Sequence, residues 1–353
     1  MVTMGIIGFG GMGKFHLDLV RKHVSDKMTV KGAYDIKPEA AEKIRENDIL
    51  VYPTADALLS DPEIDLVLVS TPNNFHKEYS IRALRAGKHV LCEKPVMMSS
   101  EELEEVLAVA KETGKIFTVH QNRRWDRDYL LVKKALEEKT VGKPFFIESR
   151  VDGARGIPGD WRCVKEAGGG MMFDWGIHLI DQVLQLFPCP IKELYCQMFK
   201  LKYKEVDDNF KLFLKFENEV CVMIEIGTFH FIKAPRWYIN CDEGSMIVKD
   251  WGGGADFVRE LDCEMDWKES IVFTAAGPTR TMAARPKDTT EEFHWDIEEH
   301  GRNYELHEML VHAIESGDHD SVAVHADELR RSMHVMEAAF RSAKEGIVVK
   351  EDI

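Results

Sequence analysis

The chain has 353 residues, which is too long for one ordinary hydrophobic core and predicts two domains. Its hydrophobic fraction of 44% and charged fraction of 30% are typical of a soluble globular protein, and no apolar run approaches the roughly 18 residues that a membrane-spanning helix needs. A net charge of −15 argues against a nucleic-acid or anionic-membrane partner, so we expect a small-molecule partner.

The cysteines and the N-terminus bear on the cellular compartment. The seven cysteines are odd in number and form no CxxC pair, so we expect reduced thiols rather than a disulfide frame. Residues 1–13 are apolar and glycine-rich without a basic leader, which predicts a first strand rather than a signal peptide. Both observations predict a cytoplasmic protein.

Strand and helix signals alternate over the first 121 residues. Predicted strands lie at 2–8, 28–34, 65–69, 89–92 and 116–119, and predicted helices at 12–23, 38–46, 75–86 and 99–113. Alternating units with short connections predict a doubly wound parallel sheet, which is an α/β domain at residues 1–121.

Residues 122–353 follow a different pattern. Predicted strands lie at 144–151, 192–203, 209–216, 220–228, 237–241 and 245–249, and predicted helices at 129–139, 173–186, 302–315 and 326–344. Residues 250–292 give no clear pattern. A run of strands with few helices between them predicts an α+β domain with a large, mostly antiparallel sheet, which offers a face for self-association. We expect the last helix to pack back toward the first domain.

The first predicted strand ends in a G-x-G-x-x-G pattern that opens a helix. Gly8 permits a tight turn, Gly10 lets the backbone approach a pyrophosphate, and Gly13 lets the helix pack close to the strand. The free N–H groups of the helix N-terminus favour phosphate, so we expect a dinucleotide on this loop. The alternative is a glycine-rich turn without a ligand. The predicted phosphate contacts are Gly8, Gly10, Gly11, Met12 and Gly13.

Two further segments are predicted to hold the cofactor. Asp35 ends the second strand, where a carboxylate accepts hydrogen bonds from the adenosine ribose and repels a 2′-phosphate, which favours NAD. Lys37 leaves NADP possible, and Ile36 lies between the two. The segment after the strand 65–69 carries hydroxyl, amide and imidazole groups for the nicotinamide ribose, or else an ordinary helix cap with a proline turn. Its candidate residues are Ser70, Thr71, Pro72, Asn73 and His76.

Glu93-Lys94-Pro95 follows the strand 89–92, and residues 168–181 match the form GGGxxxDxGxHxxD. Together with the glycine fingerprint and the Glu243-Gly244-Ser245 turn, they resemble the glucose–fructose oxidoreductase and inositol dehydrogenase family, Gfo/Idh/MocA. The resemblance covers nearly the whole chain. It implies a Rossmann domain, a substrate-binding and oligomerisation domain, and a homodimer or homotetramer.

The resemblance also implies that Lys94, Asp174 and His178 face the nicotinamide and the substrate. His178 has an ordinary pKa near 6.5, so we favour it for proton transfer, with Lys94 anchoring the substrate oxygen. Asp174 holds a substrate hydroxyl or the imidazole, which lies four residues away on a predicted helix. Taken alone, such a lysine is usually solvated and such an Asp–His pair is usually structural.

Two polar and aromatic stretches complete the predicted site. Asn122, Arg123, Arg124 and Trp125 lie at the domain junction and are predicted to bind substrate, although Arg124 and Asp126 can equally form a structural ion pair. Trp161 and Arg162 resemble a pair that approaches the cofactor or substrate in relatives, and an ordered loop is the alternative. The histidines show no trusted ligand spacing, so no metal is predicted.

The function that the resemblance implies is the NAD(P)-dependent interconversion of a secondary alcohol and a ketone on a sugar, polyol, inositol or glycoside. One alternative is a glycosidase that uses tightly bound NAD in an oxidation–elimination–reduction cycle. Another is a non-catalytic NAD-binding sensor, which is less expected because Lys94, Asp174 and His178 are all present.

Overall fold

The structure is a computed structural model that describes residues 1–263, 271–279, 285–297 and 301–353. Within these residues the chain forms two main sheets and a small hairpin. No helix in the described ranges is long and apolar enough to cross a membrane.

The first sheet has six parallel strands in the order β3-β2-β1-β4-β5-β6. Its strands are β1 (Val2–Ile7), β2 (Met28–Tyr34), β3 (Leu50–Val51), β4 (Leu66–Val69), β5 (His89–Cys92) and β6 (Phe117–Val119). The central strands are almost continuously apolar and buried, because helices cover both faces of the sheet. The predicted doubly wound sheet is confirmed. Its strand order reverses between β1 and β4, where such sheets bind ligands.

Five helices accompany this sheet: α1 (Gly11–Leu19), α2 (Pro38–Glu46), α3 (Ala55–Leu59), α4 (His76–Arg85) and α5 (Ser100–Thr113). A π-helical turn, Val20–Val24, extends α1. Helix α5 shows why its bounds were predictable: the Ser99 side chain accepts a hydrogen bond from the Glu102 N–H, and Gly114 ends the helix at φ +63°.

The second sheet has eight strands in the order β16-β13-β12-β11-β7-β10-β9-β8. All neighbours are antiparallel except β7 and β10, so the predicted α+β fold with a mostly antiparallel sheet is confirmed. The strands are β7 (Pro144–Asp152), β8 (Ile191–Phe199), β9 (Asn209–Phe216), β10 (Cys221–Gly227), β11 (Trp237–Cys241), β12 (Gly244–Val248), β13 (Ala255–Glu260) and β16 (Thr290–Trp295), with β14 (Val272–Thr274) and β15 (Gly277–Thr279) forming the hairpin.

Four further helices pack against this sheet or return to the first one: α6 (Arg127–Glu137), α7 (Ile177–Leu186), α8 (Glu305–Ser316) and α9 (Ala326–Glu345). Helix α9 covers β8 and contacts α7 and α5, while α8 packs on β1 and the π-helical turn after α1. The end of the chain therefore supports the first sheet. The domain boundary at residue 121 stays a prediction.

Two predicted elements differ from the structure. The strand predicted over 192–203 ends at Phe199, because the Asp208 carboxylate accepts hydrogen bonds from the N–H groups of Lys202 and Tyr203 and so holds a loop. The helix predicted over 173–186 begins as a π-helical turn, Met172–Gly176, and becomes α-helical only at Ile177.

Candidate active site

A cleft of about 650 Å³ opens at the carboxyl ends of β1, β2, β4 and β5. This volume lies within the usual range for a small-molecule or cofactor site. Sixteen residues of the predicted site line the cleft: Gly8, Gly10, Gly11, Met12, Asp35, Ile36, Lys37, Ser70, Thr71, Pro72, Asn73, Glu93, Lys94, Trp161, Arg162 and Asp174.

The glycines of the first loop fit a dinucleotide phosphate. A Cβ at Gly8, which has φ +93°, would lie 2.6 Å from the Ser70 carbonyl oxygen, and one at Gly13 would lie 2.5 Å from the Gly8 carbonyl oxygen. These two glycines are required by the protein's own packing. A Cβ at Gly10 or Gly11 would meet no described atom within 4 Å, so their bare backbones leave open space at the start of α1. No side chain caps this helix, and its first N–H groups are available to an anion.

Asp35 braces the glycine loop as well as lining the cleft. Its Oδ2 accepts a hydrogen bond of 2.7 Å from the Phe9 N–H, and its Oδ1 accepts one of 2.9 Å from the Lys37 N–H. Lys43 of α2 joins Lys37 in the lining, so the same cleft carries two cations as well as the Asp35 carboxylate. Lys43 was not predicted from the sequence, although its helical spacing from Glu39, also in the lining, was a usable signal.

In the segment after β4, some residues line the cleft and others support the backbone around it. The Ser70 hydroxyl donates to the Gly8 carbonyl oxygen at 2.7 Å and so fixes the glycine turn. The Asn73 amide donates to the Gly168 carbonyl oxygen at 2.8 Å, which ties this segment to the second glycine-rich stretch. His76 does not line the cleft. It is fully buried behind the turn, with its ring nitrogens 2.9 Å from the Pro95 oxygen and 3.0 Å from the Thr71 oxygen.

Lys94 and Asp174 meet at the inner end of the cleft although they are 80 positions apart in the sequence. The Lys94 ammonium donates to Asp174 Oδ1 at 2.9 Å and to the Asp174 carbonyl oxygen at 2.7 Å. Arg162 Nε lies 3.6 Å from the second carboxylate oxygen. Burial alone would raise the pKa of Asp174, but the Lys94 and Arg162 charges lower it below its ordinary value, so the carboxylate is ionised at neutral pH.

His178 lies in α7 behind this pair and does not line the cleft. Burial, followed by the charges of Lys94 and Arg123, holds the pKa of His178 well below its ordinary value, so the imidazole is neutral at pH 7. Its Nδ1 is buried and has no hydrogen-bond partner among the described residues. Asp174 bonds to Lys94, and no hydrogen bond between Asp174 and His178 is found among the described residues; Asp174 itself lies in the π-helical turn Met172–Gly176.

The Asn122–Trp125 segment forms a 3₁₀ turn outside the cleft. The Arg124 guanidinium makes two hydrogen bonds, of 2.6 and 2.8 Å, to the buried Asp181 carboxylate, and a third of 3.2 Å to Glu328. The alternative pairing of Arg124 with Asp126 is therefore wrong, because Arg124 is fully engaged by residues of α7 and α9. The Trp125 indole N–H donates to Glu305 at 3.0 Å.

Arg123 instead joins an aromatic group near His178. Its guanidinium pairs with Asp126 at 2.9 Å and lies over the Trp175 ring at 4.1 Å. Trp251, in the loop between β12 and β13, lies on the same cation at 5.3 Å and is 40% exposed. Trp251 was not predicted from the sequence, because it falls in the stretch 250–292 that shows no clear pattern.

Behind the cleft, Glu93 is bound by two histidines. Its Oε1 lies 2.8 Å from His16 Nε2 and 3.0 Å from His120 Nδ1. Burial alone would raise the pKa of Glu93, but His120 and His16 lower it well below its ordinary range. A third buried histidine, His307 of α8, places its Nε2 2.9 Å from His16 Nδ1. No sequence spacing indicated this cluster, because its members come from four distant segments.

Comparison with known proteins gives consistent matches. Residues 2–121 match the model of an oxidoreductase family with an NAD-binding Rossmann fold, and residues 129–247 match the GFO/IDH/MocA C-terminal domain. A crystal structure of an NAD-binding protein from Listeria innocua superposes with a TM-score of 0.93 and 38% identity, covering 99% of each chain.

Two curated relatives are also similar. An uncharacterised oxidoreductase of Schizosaccharomyces pombe is 40% identical over 177 residues, which cover 48% of this chain and 47% of the relative, so the match spans about half of its length. The scyllo-inositol 2-dehydrogenase (NADP(+)) of Bacillus subtilis is 29% identical over 263 residues, covering 73% of this chain and 72% of the relative.

Proposed function

Because this chain belongs to the Gfo/Idh/MocA family of NAD(P)-dependent oxidoreductases, we propose that it interconverts a secondary alcohol and a ketone on a sugar, polyol, inositol or glycoside. The observation that carries the proposal is the Lys94–Asp174 pair, which lies where the glycine-lined cleft ends and beside a neutral histidine. The name of the Bacillus subtilis relative supports a cyclic polyol as one substrate class.

In the proposed site, the glycine loop and the start of α1 hold the cofactor phosphates, and Asp35 holds the adenosine ribose. The bound nicotinamide supplies the hydride acceptor or donor. Asp35 favours NAD, whereas Lys37 and Lys43 are placed to bind a 2′-phosphate. We propose a preference for NAD, which the ratio of kcat/KM for the two cofactors tests directly.

The residues at the inner end of the cleft have different roles in the proposed reaction. Lys94 donates a hydrogen bond to the substrate oxygen and stabilises negative charge on it. Asp174 orients the ammonium through the two hydrogen bonds described above. His178, being neutral, accepts the hydroxyl proton during alcohol oxidation and returns it during ketone reduction.

The test is a screen of the purified protein against sugars, polyols, inositols and glycosides with both cofactors, followed by reduced-cofactor absorbance. We expect turnover of at least one cyclic substrate. Asp174→Asn should lower kcat about 100-fold by misplacing the ammonium, while the exposed Asp320→Asn control should leave it unchanged. Release of aglycone without net reduced cofactor would replace the proposal with the oxidation–elimination–reduction cycle. Cofactor binding without turnover across the panel would replace it with a sensor.

A further inference from the structure

Three histidines that lie far apart in the chain meet behind Glu93. His16 belongs to α1, His120 directly follows β6, and His307 belongs to α8, and all three are 0% exposed. One nitrogen from each lies within 4.8 Å of those of the other two. A buried cluster of three imidazole rings needs a physical explanation, because each buried ring nitrogen requires a hydrogen-bond partner or another ligand.

The Glu93 carboxylate is the hydrogen-bond partner of one ring nitrogen on each of two histidines. It lies 2.8 Å from His16 Nε2 and 3.0 Å from His120 Nδ1, so these two nitrogens carry the hydrogens. The opposite nitrogens, His16 Nδ1 and His120 Nε2, are then bare lone pairs. A carboxylate that accepts the outer N–H of an imidazole and leaves its other nitrogen free is the usual surrounding of a metal-binding histidine.

Hydrogen bonding within the cluster does not use all of these lone pairs. His307 Nε2 lies 2.9 Å from His16 Nδ1 and can donate to it. His120 Nε2 and His307 Nδ1 are buried and have no partner among the described residues. Leaving a buried polar atom unpaired is unfavourable, so an electron-pair acceptor that binds the His120 Nε2 lone pair is favoured.

We propose that His16 Nδ1, His120 Nε2 and His307 Nε2, the last with its hydrogen moved to Nδ1, form a binding site for a divalent transition-metal ion, with Zn²⁺ as the natural occupant. Neutral imidazole is a preferred zinc ligand, and Zn–N bonds of about 2.0–2.1 Å in a tetrahedral site place the nitrogens about 3.3 Å apart. His16 Nδ1 and His307 Nε2 lie 2.9 Å apart, and one ring nitrogen of each of the three histidines lies within 4.8 Å of the others, which is close to that spacing.

Such a site would join α1, the end of β6 and α8 directly behind the loop that carries Glu93 and Lys94. The buried rings leave little access from solvent, so the ion is expected to enter during folding and to stabilise the folded state. The inference is independent of the proposed function, because it concerns residues that do not line the cleft except for Glu93.

The test uses the full chain expressed in zinc-containing medium and, separately, in cobalt-containing medium. We expect about one metal ion per chain by elemental analysis, and visible Co²⁺ absorption of the strength typical of tetrahedral coordination. His307→Gln should lose the metal, whereas His312→Gln, at an exposed histidine of the same helix, should retain it.

Two measurements keep the test decisive if His307→Gln fails to fold. The wild-type thermal midpoint should fall after treatment with a strong chelator and recover when Zn²⁺ is added back. NADH binding, followed separately, reports on the cleft and not on the metal. Metal far below one equivalent in the wild type, full occupancy in His307→Gln, or the weak Co²⁺ absorption of octahedral surface sites would each overturn the proposal.

Discussion

His178 and Lys94 show how neighbouring charges set the chemistry of single residues. Burial, followed by the charges of Lys94 and Arg123, lowers the pKa of His178 and keeps its imidazole neutral, while the Lys94 ammonium itself lies in the cleft. A neutral imidazole can take a proton from an alcohol, while the cation beside it stabilises the developing negative charge. The two residues are therefore suited to different parts of one reaction.

This arrangement predicts the pH dependence of alcohol oxidation. A histidine whose folded-state pKa is depressed stays neutral until the pH falls through that lower value, so kcat/KM should be flat from about pH 8 down to about pH 6.5, the ordinary pKa of histidine. The lowered pKa of Asp174 acts in the same direction. His178→Gln should lower kcat by about 100-fold or more, and the exposed His334→Gln control should not. An acidic limb centred at or above pH 7 would contradict a neutral His178.

For Arg124 the prediction is the opposite: this residue is expected to contribute to the stability of the fold and not to catalysis. Its guanidinium is bound by the buried Asp181 carboxylate and by Glu328, so Arg124→Met leaves a carboxylate buried without its partner. We expect a loss of about 3–5 kcal/mol in the free energy of unfolding by urea titration. The double variant Arg124→Met/Asp181→Asn should recover part of this loss. If instead stability is unchanged and KM rises, Arg124 binds substrate as the sequence suggested.

At the scale of elements, the turn between β1 and α1 contains glycines that the fold itself requires and glycines whose surroundings are open to a ligand. A Cβ at Gly13 would lie 2.5 Å from a backbone oxygen, whereas a Cβ at Gly10 meets open space. The glycines of one sequence motif therefore meet two different physical requirements, close packing and open space.

These two positions make a matched pair of variants. Gly13→Ala should lower the free energy of unfolding by about 1–3 kcal/mol, because the backbone must shift to admit the methyl group. Gly10→Ala should unfold like the wild type but weaken NADH binding at least about 10-fold, which calorimetric titration and urea unfolding can separate. Tight NADH binding by Gly10→Ala would show that the cofactor does not approach this backbone.

Local patterns in the sequence were sufficient to predict most elements and most of the residues that line the cleft. The fingerprint, the capping box at Ser99 and the alternating apolar runs each encode structure within a few residues. Strand β3 and helix α3 were missed because two and five residues are too few to show a period. The π-helical turn at Asp174 and the cluster of His16, His120 and His307 depend on tertiary packing, which no local spacing reports.

At the scale of the whole molecule, the site exists because the two sheets are held together. The ammonium comes from the loop that follows β5 of the first sheet and its carboxylate from the turn that leads into α7, while α8 and α9 return to contact β1 and α5. The hydrogen bonds of Ser100 to Glu337, one from its N–H at 2.7 Å and one from its hydroxyl at 2.8 Å, fasten α5 to α9. A cofactor bound over the first sheet would thereby face the proposed substrate-binding groups of the second domain.

The most direct test of this account is single-turnover reaction of a reduced-cofactor complex of Lys94→Met, compared with the wild type and with Lys111→Met at an exposed position of α5. We predict that all three proteins bind NADH with similar affinity, and that Lys94→Met reduces a cyclic ketone about 100-fold or more slowly than the other two. Equal single-turnover rates in Lys94→Met and the wild type would contradict the assignment of the reacting end of the cleft.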